Sequence, residues 1–446
     1  VNRDGPAIQP GSRSYDRSWI RDGSLTSSAL LRLGYTDIAR DFARWYAPFQ
    51  YRTGSVPCCV DERGADPTYE HDSHGELLFL FAEVHRYTHD DAFLREMWPH
   101  VEHTIAFIDS MRHTRMTAAY TRNDSVRAYY GLMPESISHE GYSDRAVHSY
   151  WDQLFTLRGL KDAVYIAHAL GETEAEGRYA TLRDSFAADL AASYRRTMAM
   201  HHIDYLPGSV EKGDFDATSV TVGLDPAEAE DVFPPGALDA TFQRYWDFVE
   251  SRADGSLVWD GYTPYELRTV GTFARMRQVQ RAHDALDFFF RGQHPGGWYQ
   301  WAEVVWSDPR KAGYVGDMPH TWVGSDFIRS ALDLFAYHEA DRLVLGAGLT
   351  RDWLLTPGGV GIRWLRTPYG LLSYVAEMVA NDPGEEEGGM VVFQISGGID
   401  VPPGGLVVRA PFPDPIEVAV NGDYAERNSA GDVIVRSVPA RVAFRY

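Results

Sequence analysis

Long hydrophobic runs are missing from this chain of 446 residues. No stretch approaches the roughly 18 consecutive apolar residues of a membrane-spanning helix, so the chain is read as soluble, with no membrane partner. Cysteine is nearly missing as well. The only two, Cys58 and Cys59, are adjacent, a spacing too cramped for an ordinary disulfide, which excludes a disulfide framework and a CxxC metal site. Basic residues are in deficit: 42 Lys and Arg against 63 Asp and Glu leave a formal net charge of −21. Such a surface repels phosphate backbones and disfavours nucleic acid and polyanionic substrates. The opening Val1-Asn-Arg-Asp-Gly has no initiator Met, charged leader or apolar segment, so it reads as neither a native start nor a signal peptide. The chain is therefore expected to be a piece of something longer, its location left open between the cytoplasm and a longer secreted protein.

Aromatic residues are plentiful at 13%, with 12 Trp and 25 Tyr. Their rings present flat apolar faces to sugar C–H groups, while their NH and OH edges form hydrogen bonds. Apolar residues recur at i, i+3, i+4 and i+7 from about Ser24 to Glu339. This spacing predicts eleven helices, near 24–33, 36–47, 73–88, 91–112, 147–170, 173–198, 214–223, 236–252, 264–276, 278–291 and 320–339. Short turns alternate with long loops at 48–72, 113–146 and 293–319, and long loops in a compact domain are often functional. After residue 343 the period changes to two, in runs such as Gly361-Ile-Arg-Trp-Leu and Met390-Val-Val-Phe-Gln-Ile. With Asn421-Gly422 as a hairpin turn, these runs predict a small antiparallel β-domain. The acidic segment from Glu385 reads as a solvated loop.

Four clusters carry chemistry. Tyr15-Asp-Arg-Ser-Trp-Ile-Arg-Asp-Gly precedes the first helix; Asp22 can cap that helix, and Arg with Asp can also fork-bond vicinal sugar hydroxyls. Tyr69-Glu-His-Asp-Ser-His-Gly-Glu precedes another helix. It holds His71, Asp72 and His74 but no HExxH or other ligand signature, so a polar sugar subsite is preferred and no metal or cofactor is expected. Gly131-Leu-Met-Pro-Glu-Ser-Ile-Ser-His-Glu-Gly-Tyr leads into His148-Ser-Tyr-Trp-Asp-Gln, which includes Trp151 and Asp152. A loop carboxyl walled by aromatics loses solvation and holds its proton, as a general acid must, so Glu135 and Glu140 are both candidates, with Glu135 preferred. Trp298-Tyr-Gln-Trp-Ala-Glu-Val-Val-Trp sets Glu303 among three Trp and a Tyr, suited to activating water.

This order of motifs resembles the glucoamylase family of inverting glycoside hydrolases over roughly residues 11–340. The resemblance implies an (α/α)6 barrel over residues 1–342, mainly α, followed by the β-domain over 343–446. Such a barrel has twelve helices; the twelfth lies ahead of Val1 or is unread within the chain. Tyr15 to Asp22 looks like the family's aromatic-x-Arg-Asp motif, which implies that Arg21 and Asp22 bind hydroxyls of the terminal sugar. The segment from His71 to Leu77 resembles the family's helix opening, and Asp214-Phe-Asp-Ala-Thr a later one. By position Glu135 corresponds to the family's acid and Glu303 to its base. Gly316-Asp-Met-Pro-His-Thr-Trp looks like the final helix entry, bringing in His320, although the family's Ser-His order is not kept. Trp19, Trp151 and Trp301 are expected as sugar platforms. The implied activity is exo-hydrolysis of a neutral oligosaccharide, with an inverting disaccharide phosphorylase or a non-catalytic carbohydrate-binding barrel as alternatives.

Overall fold

The computed structural model describes residues 5–11, 15–293, 296–308, 310–311, 316–379 and 389–446. The acidic segment expected as a solvated loop, Glu385 to Gly388, lies outside them. The chain divides into two compact units: Val1–Leu31, Tyr35–Glu266 and Gly292–Asp326 form one, and Arg32–Gly34, Leu267–Arg291 and Phe327–Tyr446 the other. The second unit thus takes in, besides the β-strands, two helical segments that the sequence reading placed in the barrel.

In the first unit the main helices come in pairs. They are α1 (Ile20–Arg32) with α2 (Thr36–Tyr46), α3 (Asp72–Thr88) with α4 (Asp91–His113), then a single turn α5 (Asp124–Arg127), α6 (Tyr150–Leu170) with α7 (Thr173–His201), and the short α8 (Ala217–Val220) before α9 (Ala237–Ala253). One member of each long pair is buried on nearly all sides and the other on one face. In α3 every residue from Asp72 to Ala82 is buried, and in α6 every residue from Tyr150 to Leu160. In α2 only Ala39, Phe42, Ala43 and Tyr46 are buried, the i, i+3, i+4, i+7 stripe of a helix with one wet side. The first class therefore forms an inner layer and the second an outer layer. Left-handed residues end the inner helices: His89 after α3 and Gly171 after α6 close the last turn with their own N–H groups. Inner helices α3 and α6 approach closely because both carry glycine at the crossing. A Cβ on Gly75 would stand 1.8 Å from the Phe155 carbonyl oxygen, and one on Gly159 would stand 2.6 Å from the Gly75 Cα.

Strands β1 (Ser18–Trp19), β2 (Cys59–Asp61) and β3 (Gly64–Ala65) form a small antiparallel sheet in this unit. A two-stranded ladder joins β4 (Gly261–Tyr262) to β5 (Val305–Trp306). The second unit holds α10 (Arg268–Arg275) and α11 (Val279–Arg291); α12 (Thr321–Asp333) counts with the first unit through Asp326. Its strands are β6 (Ala336–Glu339), β7 (Arg342–Leu345), β8 (Val360–Thr367), β9 (Gly370–Val379), β10 (Met390–Ile395), β11 (Gly405–Val408), β12 (Glu417–Val420), β13 (Asp423–Tyr424), β14 (Val433–Val435) and β15 (Ala440–Arg445), with the turn α13 (Arg351–Leu354) between β7 and β8. They form a six-stranded sheet, β13-β12-β15-β10-β9-β8, and a four-stranded sheet, β14-β11-β7-β6, around one core that includes Leu345, Tyr374, Phe393 and Phe444.

The expected helices and period-two strands are present, with three differences. The helix expected to run to residue 339 stops at Asp333, because Ala336 to Glu339 pairs with β7 as a strand. Strands β7, β9 and β13 were not among the runs read as strands; β9 lies between β8 and β10 in the six-stranded sheet. The β-region is antiparallel except where β7 runs parallel to β11. Asn421-Gly422 forms the two-residue hairpin read from the sequence: both residues have positive φ, at 55° and 92°, and Val420 pairs with Asp423.

Candidate active site

Polar side chains are buried at the N-terminal ends of α1, α3 and α6, where a hydrophobic interior would exclude them unless paired. β1 sets the first of them. Trp19 pairs with Cys59, the Ile20 N–H donates to the Cys58 carbonyl at 3.1 Å, and α1 starts at once. Arg21 and Asp22 therefore sit buried in the first turn rather than at an exposed cap. Arg21 donates to Glu70 at 2.6 Å and to Asp72 at 3.2 Å, and its guanidinium lies 5.2 Å from the Trp322 ring centroid. Burial pushes Asp22 up to about 7, with Arg21 opposing, and Glu70 up to about 8 against the same guanidinium. Glu76, one turn into α3, is fully buried; neither carboxyl oxygen has a hydrogen-bond partner among the described residues, and burial pushes its carboxyl well up.

Asp152 and Trp151 open α6. Asp152 accepts from the hydroxyls of Ser136 at 2.7 Å and Ser138 at 2.6 Å, which pins the loop ahead of the helix. The Trp151 indole donates to Asp72 at 2.8 Å, and His139 stacks on its ring at 4.8 Å. Trp151 thus positions a carboxylate, with one face already covered, instead of offering that face as a sugar platform. Tyr142 anchors the same loop by donating to Asp214 at 2.8 Å, and Asp216, at the helix opening read from the sequence, caps α8 by accepting from the Ser219 N–H.

The two acid candidates in this loop are treated differently. Glu135 makes an ion pair with Arg115 and lies 3.6 Å from His148. Burial raises its carboxyl, but backbone hydrogen bonding and the Arg115 guanidinium outweigh that and hold it below the usual range. Glu140 accepts from the Trp19 indole at 3.2 Å and has a φ of 61°, a left-handed conformation that costs energy in a residue with a side chain.

Glu303 is held by a different set of partners. The Tyr15 hydroxyl donates to its carboxylate at 2.5 Å, and its own N–H donates to the Asp317 carbonyl at 3.0 Å. Burial pushes its carboxyl up, and the Tyr15 bond opposes that. Tyr15 and Trp19 meet edge to face at 5.4 Å, so one aromatic pair holds Glu303 through its phenol and Glu140 through its indole. The aromatic shell expected around Glu303 is largely elsewhere: Trp298 is 64% and Tyr299 80% exposed. Trp301 is buried, and its carbonyl accepts from the His320 N–H at 2.9 Å. His320, packed edge-on to Tyr15 and Tyr265, is pushed by burial down to about 4 and is neutral at pH 7. Buried His71 is likewise lowered to about 4 and shares a 3.2 Å contact with His74. Sequence reasoning assigned no role to Tyr15 or Glu70, although both lie inside the motifs it singled out; the fold gives Glu70 its partner in Arg21 and Tyr15 its partner in Glu303. Among the described residues no group of three His, Cys, Asp or Glu is placed to hold a metal ion, and no helix is long and apolar enough to cross a membrane.

No protein-family model matches the chain, and no curated protein matches it. Solved structures do. The chain is similar to an α-L-rhamnosidase from Dictyoglumus thermophilum, with 12% identity and a TM-score of 0.61 over 99% of this chain and 47% of that one. It is similar to a GH78 family rhamnosidase of Bacillus sp. GL1, with 15% identity and a TM-score of 0.54 over 81% of this chain and 36% of that one. A glycosidase variant in complex with glucose aligns at 12% identity and a TM-score of 0.52, over 74% of this chain and 92% of that one. The chain spans about half the length of the first of these rhamnosidases. At such identities the likeness is one of fold: mainly α, an (α/α)6 barrel followed by a β-domain.

Proposed function

We propose that this chain is an exo-acting glycoside hydrolase that removes a neutral terminal sugar with inversion, using Glu140 as general acid and Glu303 as general base. The observation that carries the reading is the Tyr15–Trp19 pair, which ties each carboxylate to one ring of an edge-to-face contact. Glu135 was the preferred acid on sequence grounds; its ion pair with Arg115 stabilises the ionised form and argues against proton donation. Glu140 protonates the glycosidic oxygen as the C–O bond breaks. Glu303 takes a proton from a water that attacks the anomeric carbon from the opposite face, which requires the two carboxyls to stand roughly 6.5–9.5 Å apart. Solvent then returns one proton to Glu140 and removes one from Glu303. Arg21, Asp22 and Asp72 hold hydroxyls of the terminal sugar. The rhamnosidases and the glucose-bound glycosidase among the structural relatives favour an uncharged sugar.

A phosphorylase would need cationic groups for phosphate; Arg21 is already shared by Glu70 and Asp72, so hydrolysis is the better supported reading. Glu140→Gln and Glu303→Gln are each expected to lower kcat by about 10²–10⁴-fold on an unactivated glycoside, with the fold intact by circular dichroism. Glu135→Gln should remain within a few-fold of the parent. Proton NMR of the first-formed anomer tests inversion. Full activity in either of the first two variants removes that residue from its role.

A further inference from the structure

Beside Glu140 lies a cavity of ≈ 450 Å³, lined by Tyr15, Arg17, Trp19, Asp61, Arg63 and Glu140 among others. Its volume is in the range of small-ligand sites. The β1–β2–β3 sheet builds it: Trp19 is fixed against Cys59, and the β2–β3 turn carries Arg63 back onto Asp61. Arg63 donates to Asp61 from Nη2 at 2.5 Å and from Nε at 3.2 Å, and Arg17 reaches Asp61 at 3.1 Å and Asp66 at 3.3 Å. The Arg17 guanidinium also lies 5.8 Å from the Trp19 ring centroid. The wall is thus an alternation of guanidinium and carboxylate next to an aromatic ring, and forked donors beside carboxylate acceptors match vicinal hydroxyls.

Position gives this cavity its role. A general acid delivers its proton to the leaving oxygen, so the group attached to that oxygen lies on the acid's side. Arg21 and Asp22 are buried, whereas Glu140 is exposed and the Arg63 side chain is 72% exposed, so the cavity that these two line opens to solvent at Glu140. Asp16 and Glu62 line it too, so carboxylates outnumber guanidinium groups and an anionic leaving group is repelled.

We infer that this cavity is the leaving-group subsite, that it takes a second neutral sugar ring, and that Arg17 and Arg63 read that ring's hydroxyls. The natural substrate is then a di- or oligosaccharide, not a glycoside of a small apolar alcohol. This rests on the assignment of Glu140 as the acid. The test compares Arg63→Met and Arg17→Met with the parent on two substrates sharing one terminal sugar, a disaccharide and an aryl glycoside. Arg63 is exposed, so its variant is expected to fold even if Arg17→Met does not. The disaccharide kcat/KM should fall about tenfold, the scale of one lost charged hydrogen bond, with the aryl glycoside within about twofold. Equal losses on both substrates, or no loss on either, overturn the inference. Should the parent hydrolyse no glycoside, the hydrolase reading fails, and calorimetric binding of neutral disaccharides against their constituent monosaccharides decides the subsite. Tighter disaccharide binding that Arg63→Met abolishes supports it; equal binding of the two refutes it.

Discussion

Tyr15 shows how one side chain sets the chemistry of another far along the chain. Its hydroxyl donates to Glu303, 288 positions away, and a hydrogen bond donated to a carboxylate favours the ionised form. Burial acts the other way and dominates, so the Glu303 carboxyl is raised. On the hydrolase reading Glu303 must be ionised to act, so kcat is expected to rise with pH as its carboxyl loses its proton. Tyr15→Phe removes a side-chain donor that opposes the effect of burial on Glu303, and is expected to raise its pKa further and move the acidic limb of the pH–kcat profile to higher pH. The plateau should be largely retained. An unmoved limb, or one displaced to lower pH, would show that the phenol does not stabilise the ionised base. Neither Tyr15 nor the choice between Glu135 and Glu140 was legible in sequence, because both depend on partners that local spacing does not encode.

Helix packing turns on where glycine falls. Gly159 in α6 meets the Gly75 Cα of α3, so a methyl group there forces the inner helices apart. Gly159→Ala is expected to destabilise the protein by about 1–3 kcal/mol, the usual cost of overpacking, read as a lower midpoint in urea. Gly177 in α7 meets nothing within 4 Å. Gly177→Ala should stabilise by up to about 1 kcal/mol through helix propensity alone, and the opposite order of midpoints would refute the packing argument. The helices themselves were readable from periodicity to within a few residues. The misreading at residues 334–339 has a plain cause: Leu334, Phe335, Ala336 and Tyr337 form an apolar run directly after α12, and apolar runs are shared by helices and buried strands. Pairing with β7 decides for strand.

The net charge of −21 belongs to the whole molecule. Its field disfavours anionic ligands at long range and is screened by salt over about 10 Å at 0.1 M. On the hydrolase reading, kcat/KM for a uronate-bearing oligosaccharide should rise several-fold as salt is raised from about 0.02 to about 0.3 M, while that for the neutral analogue stays nearly constant. A uronate substrate that worsens with salt would place a dominant cationic group in the site instead.

What the sequence alone determined follows from short-range pattern. Period 3.6 and period 2 specified paired helices and then strands, the charge balance disfavoured polyanions, and four acidic-aromatic clusters marked where polar groups would be concentrated. Only the tertiary structure decided which of those groups meet. Glu140 lies 121 residues from Trp19, and Glu70 lies 49 from Arg21. A carboxylate's proton affinity depends on burial and on the charges within a few ångströms of it. Those neighbours are chosen by the crossing of inner helices and the loops they pin, which no local window of sequence contains.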